Sequence, residues 1–207
     1  SILGEPVALP LVEATFEAVL RAGGHPFWSP RSESLQELLL AHGSDEQIRY
    51  LSPVDMHRVQ TVDVQISFWA DQNTKFLGKI DPAKTAAMQA ARKPWMKLFM
   101  ERAAKVGQPG GLRWCGTLYP TLASAQDAEM SLREYEAFVF GAGLLDKPDP
   151  AAAWQAVHEK QERVREYLQG KRVVRFRAPA CDGHDGTDLT VDVSKATWIN
   201  CSGRENF

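Results

Sequence analysis

The sequence predicts an α/β protein: an amino-terminal domain with a mixed sheet flanked by helices, followed by antiparallel strands. Three observations carry this. Apolar residues recur at helical spacing in several capped segments before Gly170. Two segments between those helices, Val62 to Ala70 and Leu112 to Leu118, read as strands. After Gly170 the apolar period changes from helical to two-residue.

Taken in order, Pro6 to Ala22 is predicted helical, with Leu9, Val12, Phe16, Val19 and Leu20 on one face and Gly23-Gly24 as its stop. His25 to Trp28 reads as a short extended segment. A second helix runs from Glu33 to His42 and ends at Gly43; Ser44 then caps a short helix ahead of Pro53. Val62, Val64, Ile66, Phe68 and Ala70 alternate with Asp63, Gln65, Ser67 and Trp69, the pattern of a strand with one apolar face. Asp81-Pro82 opens a long helix that reaches Val106, and Pro94 should kink or split it.

Ser131-Leu132-Arg133-Glu134 is a capping box that starts a helix carrying Tyr135, Phe138 and Val139 inward. Asp149-Pro150 opens another, to Gln169, with Trp154, Val157, Val164 and Leu168 as its stripe. Beyond Gly170, Val174, Phe176 and Ala178 oppose Arg175 and Arg177, and Leu189, Val191 and Val193 repeat the pattern ahead of Thr197-Trp198-Ile199. Asp182-Gly183 and Asp185-Gly186 supply the hairpin connection. A domain boundary near Gly170 follows, giving residues 1–170 and 171–207.

The 207 residues are 44% hydrophobic and 24% charged, the balance of a globular chain rather than a disordered or collagen-like one. A net charge of −2 argues against a nucleic-acid grip. Cys115, Cys181 and Cys201 form no Cys-x-x-Cys pair, so they read as reduced thiols of a cytoplasmic protein. No apolar run is long enough to span a bilayer, and no basic-then-apolar leader opens the chain. Asn200-Cys201-Ser202 fits a glycosylation pattern that is meaningless without secretion. Both ends read as cut: the chain opens on Ser1 in mid-element and stops after a turn-like stretch.

Candidate chemistry is sparse. His158-Glu159-Lys160-Gln161-Glu162 is a near miss to the His-Glu-x-x-His zinc helix, with His158 and Glu162 on one face. Against it stands an ordinary solvated helix face in which Glu159 pairs with Arg163. Cys181-Asp182-Gly183-His184-Asp185 gathers a thiol, an imidazole and carboxylates, yet two Asp-Gly pairs explain it as a loop. Lys171, Arg172, Arg175 and Arg177 make a basic strand without aromatic interleaving, which suits a solvated face or a domain contact. Glycine-rich phosphate loops and a Gly-x-Ser-x-Gly elbow are absent, which disfavours a nucleotide-binding domain and an α/β-hydrolase. On the residues alone, no catalytic, metal-binding or substrate-binding set can be assigned.

Two longer stretches carry a resemblance. The first runs from Leu112-Arg113-Trp114-Cys115-Gly116-Thr117-Leu118-Tyr119-Pro120-Thr121 through Ala123, Ala125-Gln126, Ala128, Met130-Ser131 and Glu134-Tyr135-Glu136. Asn73-Thr74-Lys75, Asp81-Pro82 and Asp149-Pro150 with Trp154 fall in register with it. The second is Gly186-Thr187-Asp188-Leu189-Thr190, Trp198-Ile199-Asn200, Gly203 and Asn206-Phe207. Together they resemble the thermophilic-type metalloaminopeptidases, the aminopeptidase T, aminopeptidase S and aminopeptidase II group.

The resemblance implies a full-length enzyme that removes amino-terminal residues from peptides with two divalent metal ions, zinc or cobalt, per subunit. Such ions lower the pKa of a shared water and polarise the scissile carbonyl. It also implies a homodimer. The family's metal ligands lie in and after a Pro-Asp-Gly-Glu motif that would follow Phe207, so Glu205 is not assigned as a ligand. On this resemblance, residues 1–170 are the non-catalytic amino-terminal domain, its first strand missing before Ser1. Residues 171–207 then begin a catalytic domain truncated before its ligands, and the chain by itself binds no metal and is inactive. The competing expectation is a free-standing α/β binding or interaction module.

Overall fold

The computed structural model describes residues 1–105, 107–181 and 183–202. Expectations that touch Val106, Asp182 or residues 203–207, Glu205 included, lie outside the described residues. Four strands, β1 (Ile2–Gly4), β2 (Trp28–Pro30), β3 (Val64–Trp69) and β4 (Arg113–Leu118), form one sheet in the order β2-β1-β3-β4. All three pairings are parallel. The mixed sheet expected from the sequence is therefore corrected to a parallel one. Its physical reason is the connectivity: helices separate every consecutive pair of strands, and a parallel neighbour requires such a crossover.

Those crossovers are α1 (Leu9–Arg21), preceded by a 3-10 turn at Pro6–Ala8; α2 (Glu33–His42), α3 (Asp45–Arg49) and α4 (Pro53–Thr61); and α5 (Pro82–Ala91) with α6 (Lys93–Ala103). Arg92 separates the last two, and Pro94 sits in the first turn of α6, the split that its missing N–H predicts. After β4 come α7 (Leu122–Asp127), α8 (Leu132–Ala142) and α9 (Pro150–Leu168). The predicted capping box at Ser131 is present, with Ser131 and Glu134 each accepting from the other's backbone N–H. Gly170, at φ 80°, takes the left-handed turn that ends α9.

Core formation explains why both sheet faces are covered. Ile2, Phe68 and Ala70 pack with Ala8 and Val12 of the first crossover. On the opposite face Trp114, paired with Gln65, meets Phe99 and Trp95 of α6 beside Val59 of α4. Phe99 stacks on Trp95 at 5.2 Å between centroids and tilts against Trp114 at 5.8 Å. A third cluster, Leu40, Ile48 and Met88, joins α2, α3 and α5. The polar half of β3 is consequently not a solvent face, because Gln65 and Ser67 are buried and share a hydrogen bond of 3.4 Å.

Buried Arg102 ties α6 to its surroundings by donating to the carbonyls of Val59, Gly110 and Gly111. At the carboxyl ends of β1 and β3, where the strand order reverses, open α/β sheets commonly leave a ligand crevice. Here the chain's own bonds fill that place. Buried Glu5 accepts from the Ala70 N–H at 3.0 Å, and Thr121 donates to the Asp71 carbonyl at 2.6 Å. Glu33 accepts from the N–H groups of Gln72 and Asn73; desolvation nevertheless holds its carboxyl above the usual range.

The remaining strands, β5 (Val173–Ala178) and β6 (Thr187–Asp192), form the predicted antiparallel hairpin, with Val174 opposite Val191 and Phe176 opposite Leu189. Thr197-Trp198-Ile199 forms no strand. It runs instead into a segment held against α9.

Candidate functional site

Two helices past the sheet fail to do what helices of an α/β layer ordinarily do. Neither α8 nor α9 buries a residue completely, although both carry the apolar stripes read from the sequence. A cavity of about 850 Å³ lies between them and β4. Tyr135, Phe138 and Val139 of α8, Trp154 of α9, and Trp69 of β3 line it, with Cys115 to Leu118 along one side. Its size and apolar, aromatic lining are those of a ligand cleft. Desolvation here raises the Cys115 thiol pKa, so this sulfur is a neutral part of the wall.

The far end of the cavity is polar. His158 Nδ1 lies 2.7 Å from Ser202 Oγ, and both residues line the cavity. Asn200, which is buried, donates from Nδ2 to the His158 carbonyl at 3.1 Å and to Glu162 Oε2 at 2.9 Å. Arg165 Nε donates to the other Glu162 oxygen at 2.7 Å. The Arg165 bond first, and the Asn200 bond second, lower the Glu162 carboxyl to about 2.

These contacts answer the zinc-helix motif. His158 and Glu162 do share a face of α9, but protein partners occupy both, and they serve as an anchor for residues 198–202. A Ser–His contact can also signal a nucleophile and its base. Among the described residues, however, His158 Nε2 has no hydrogen-bond partner, and none of them supplies, on the ring nitrogen opposite the serine, the third group of a catalytic triad.

Other sequence expectations land elsewhere. Among the described residues no ion pair joins Glu159 to Arg163; Glu159 accepts from Gln155 at 3.0 Å, one turn back, and Glu162 pairs with Arg165. Cys181 and His184 are bridged across a turn, with the His184 N–H on the Cys181 carbonyl at 2.9 Å. Arg175 donates twice to Asp188, each at 2.6 Å, so the basic strand is partly neutralised by its own hairpin. The three cysteines are free thiols. Among the described residues no three His, Cys, Asp or Glu side chains converge as a metal site, and no helix is long and apolar enough to cross a membrane. No ligand set for a metal is therefore assigned to these residues.

Sequence reasoning missed Asn200 and Ser202. They meet His158 from more than 40 residues away, and no local spacing announces such a contact.

Comparison with known proteins places this architecture. The profile of the thermophilic metalloproteases (M29) matches residues 1–207. No curated protein matches the chain. Among solved structures, wild-type AmpT from Thermus thermophilus is similar, with a TM-score of 0.66 at 18% identity, over 92% of this chain and 47% of that one. At that identity the likeness is one of fold. The chain spans less than half of the AmpT chain's length.

Proposed function

The chain belongs to the thermophilic metalloprotease (M29) family, and from that premise we propose that its full-length protein is a metal-dependent aminopeptidase. In this reading residues 1–170 are the non-catalytic amino-terminal domain and residues 171–207 begin the catalytic domain. The observation that carries it is the family match along all of residues 1–207. The likeness in fold to AmpT, whose chain is about twice as long, supports the division of labour.

The substrates are peptides, and the cofactors are two divalent metal ions per subunit, zinc or cobalt, bound by residues outside those described. When bound, such ions supply a nucleophilic water at neutral pH and a Lewis acid for the scissile carbonyl. The described residues contribute shape: a layered scaffold and a cavity wall that restrict how a peptide approaches. Free thiols at Cys115, Cys181 and Cys201 suit a cytoplasmic protein, and a homodimer is part of the same proposal.

The test is direct. The full-length protein should release amino-terminal residues from peptides, lose that activity to a chelator and regain it with zinc or cobalt. Chain 1–207 should show none with either ion. Activity of the full-length protein that persists undiminished in chelator rejects the metallopeptidase assignment. Metal-dependent release by purified 1–207 rejects the non-catalytic role.

A further inference from the structure

The free edge of β4 opens into the cavity. In the ladder with β3, the Arg113 N–H bonds the Asp63 carbonyl at 3.0 Å and the Tyr119 N–H bonds the Trp69 carbonyl at 2.8 Å. A parallel strand turns alternate residues toward its partner. That phase aims both backbone groups of Trp114, Gly116 and Leu118 away from β3. Among the described residues β4 has no strand on that side.

Residues from both faces of β4 line the cavity, as an opening that wraps the edge requires. Cys115 and Thr117 share a face with Ile66 and Phe68; Gly116 and Leu118 share the other with Ser67 and Trp69. Gly116 lets the Trp69 ring lie across the strand, since a Cβ there would meet the ring at 2.3 Å. Across the gap stand Phe138, Val139 and Trp154.

We propose that this cavity of about 850 Å³ is a docking site for an extended, uncharged, apolar stretch of a peptide, which adds to β4 as a fifth strand. The backbone edge offers alternating donors and acceptors, and an extended peptide is the ligand that satisfies them in register. Among the described residues no Asp, Glu, Lys or Arg lines the cavity, so desolvation by this lining selects against charged side chains. Aromatic walls on both sides select for apolar ones. The proposal rests on the peptidase reading for the source of the peptide, and it concerns docking rather than bond cleavage.

The probe is a pentapeptide of leucine and phenylalanine, acetylated and amidated so that it has no free terminus, titrated into chain 1–207. Emission of Trp69 and Trp154 and amide shifts of residues 114–118 are followed. Saturable binding is expected, weakened at least tenfold when alternate peptide amides are N-methylated or when aspartate and lysine replace the apolar residues. Leu118→Pro removes an outward N–H and a lining side chain without taking a donor from the ladder with β3, and Ala142→Glu puts a charge on an exposed lining position; each should weaken binding at least tenfold, the second serving if the first does not fold. Absence of binding, or binding indifferent to N-methylation and to both variants, overturns the proposal.

A concentration-dependent dimer that Ala142→Glu dissolves and peptide does not compete assigns the groove to a second copy instead. Binding to 1–207 that is lost in the full-length protein assigns it to that protein's own continuation. Either result overturns the proposal. Peptide docking without metal-dependent release sinks only the enzyme assignment, whereas release without docking sinks only this one.

Discussion

Glu162 stands between a guanidinium three residues on and a carboxamide brought from the far end of the chain. With its folded-state value lowered to about 2 from an ordinary 4.5, the carboxylate's contribution is present above pH 4.5 and is lost as pH falls toward 2. About a third of the side chain is exposed, so solvent screens the Arg165 part; the Asn200 bond is the part that holds residues 198–202 in place. Acidification over that window should release the segment, read as a shift of the Trp198 indole resonance. Glu162→Gln should abolish this pH step. Asn200→Ala should loosen the segment at neutral pH by about 1.5–3 kcal/mol, the range for a hydrogen bond to a charged group. An indole resonance indifferent to pH in this window, or a step retained in Glu162→Gln, would count against the anchor.

Capping carries more weight in α8 than in the core helices, because α8 buries no residue completely. Its first turn is closed by Ser131 and Glu134, and the Ser131 hydroxyl also donates to Glu134 at 2.7 Å, holding that carboxyl below its usual range. Ser131→Ala should cost about 1 kcal/mol of local stability. Faster amide exchange across residues 132–136 should report it, with the cooperative unfolding midpoint nearly fixed. A large fall in that midpoint would show instead that α8 belongs to the cooperative core.

The same balance between local and tertiary signals governs what the sequence revealed. The helices α1, α2 and α9 were legible because each has a cap or proline at one end, glycine at the other and an apolar stripe between. β1 was not: three residues are too few to show alternation, and the strand exists because Ile2 is clamped between Trp28 and Ile66. α4 hid behind Pro53, a breaker in most settings but here the first residue after the Ser52 cap. α7 is six residues long and follows the Thr121 cap, with no stripe to betray it. The cavity was illegible for a related reason: stripes on α8 and α9 predict burial, and only the arrangement in space leaves Tyr135, Phe138, Val139 and Trp154 facing a gap.

At the scale of the whole molecule, packing among the described residues is uneven. Residues before Gly170 form a layered α/β unit with three packed clusters. The hairpin after it has Phe176, Leu189 and Val191 aligned on one face, the first two more than half exposed. A two-stranded hairpin has little independent stability, so this apolar face fits a sheet completed by further strands, as the proposed catalytic domain would supply. Its principal link to the preceding unit, among the described residues, is the polar anchor on α9. Shortening the chain to residues 1–170 should therefore leave the cooperative urea unfolding of the α/β unit within about 1 kcal/mol of that of 1–207, the scale of partly exposed polar pairs. Amides of β5 and β6 in 1–207 should exchange far faster than those of β3. A loss of several kcal/mol on removal of residues 171–207, with hairpin protection equal to that of β3, would mean that the hairpin is part of the same cooperative unit. The boundary at Gly170 would then have to be abandoned.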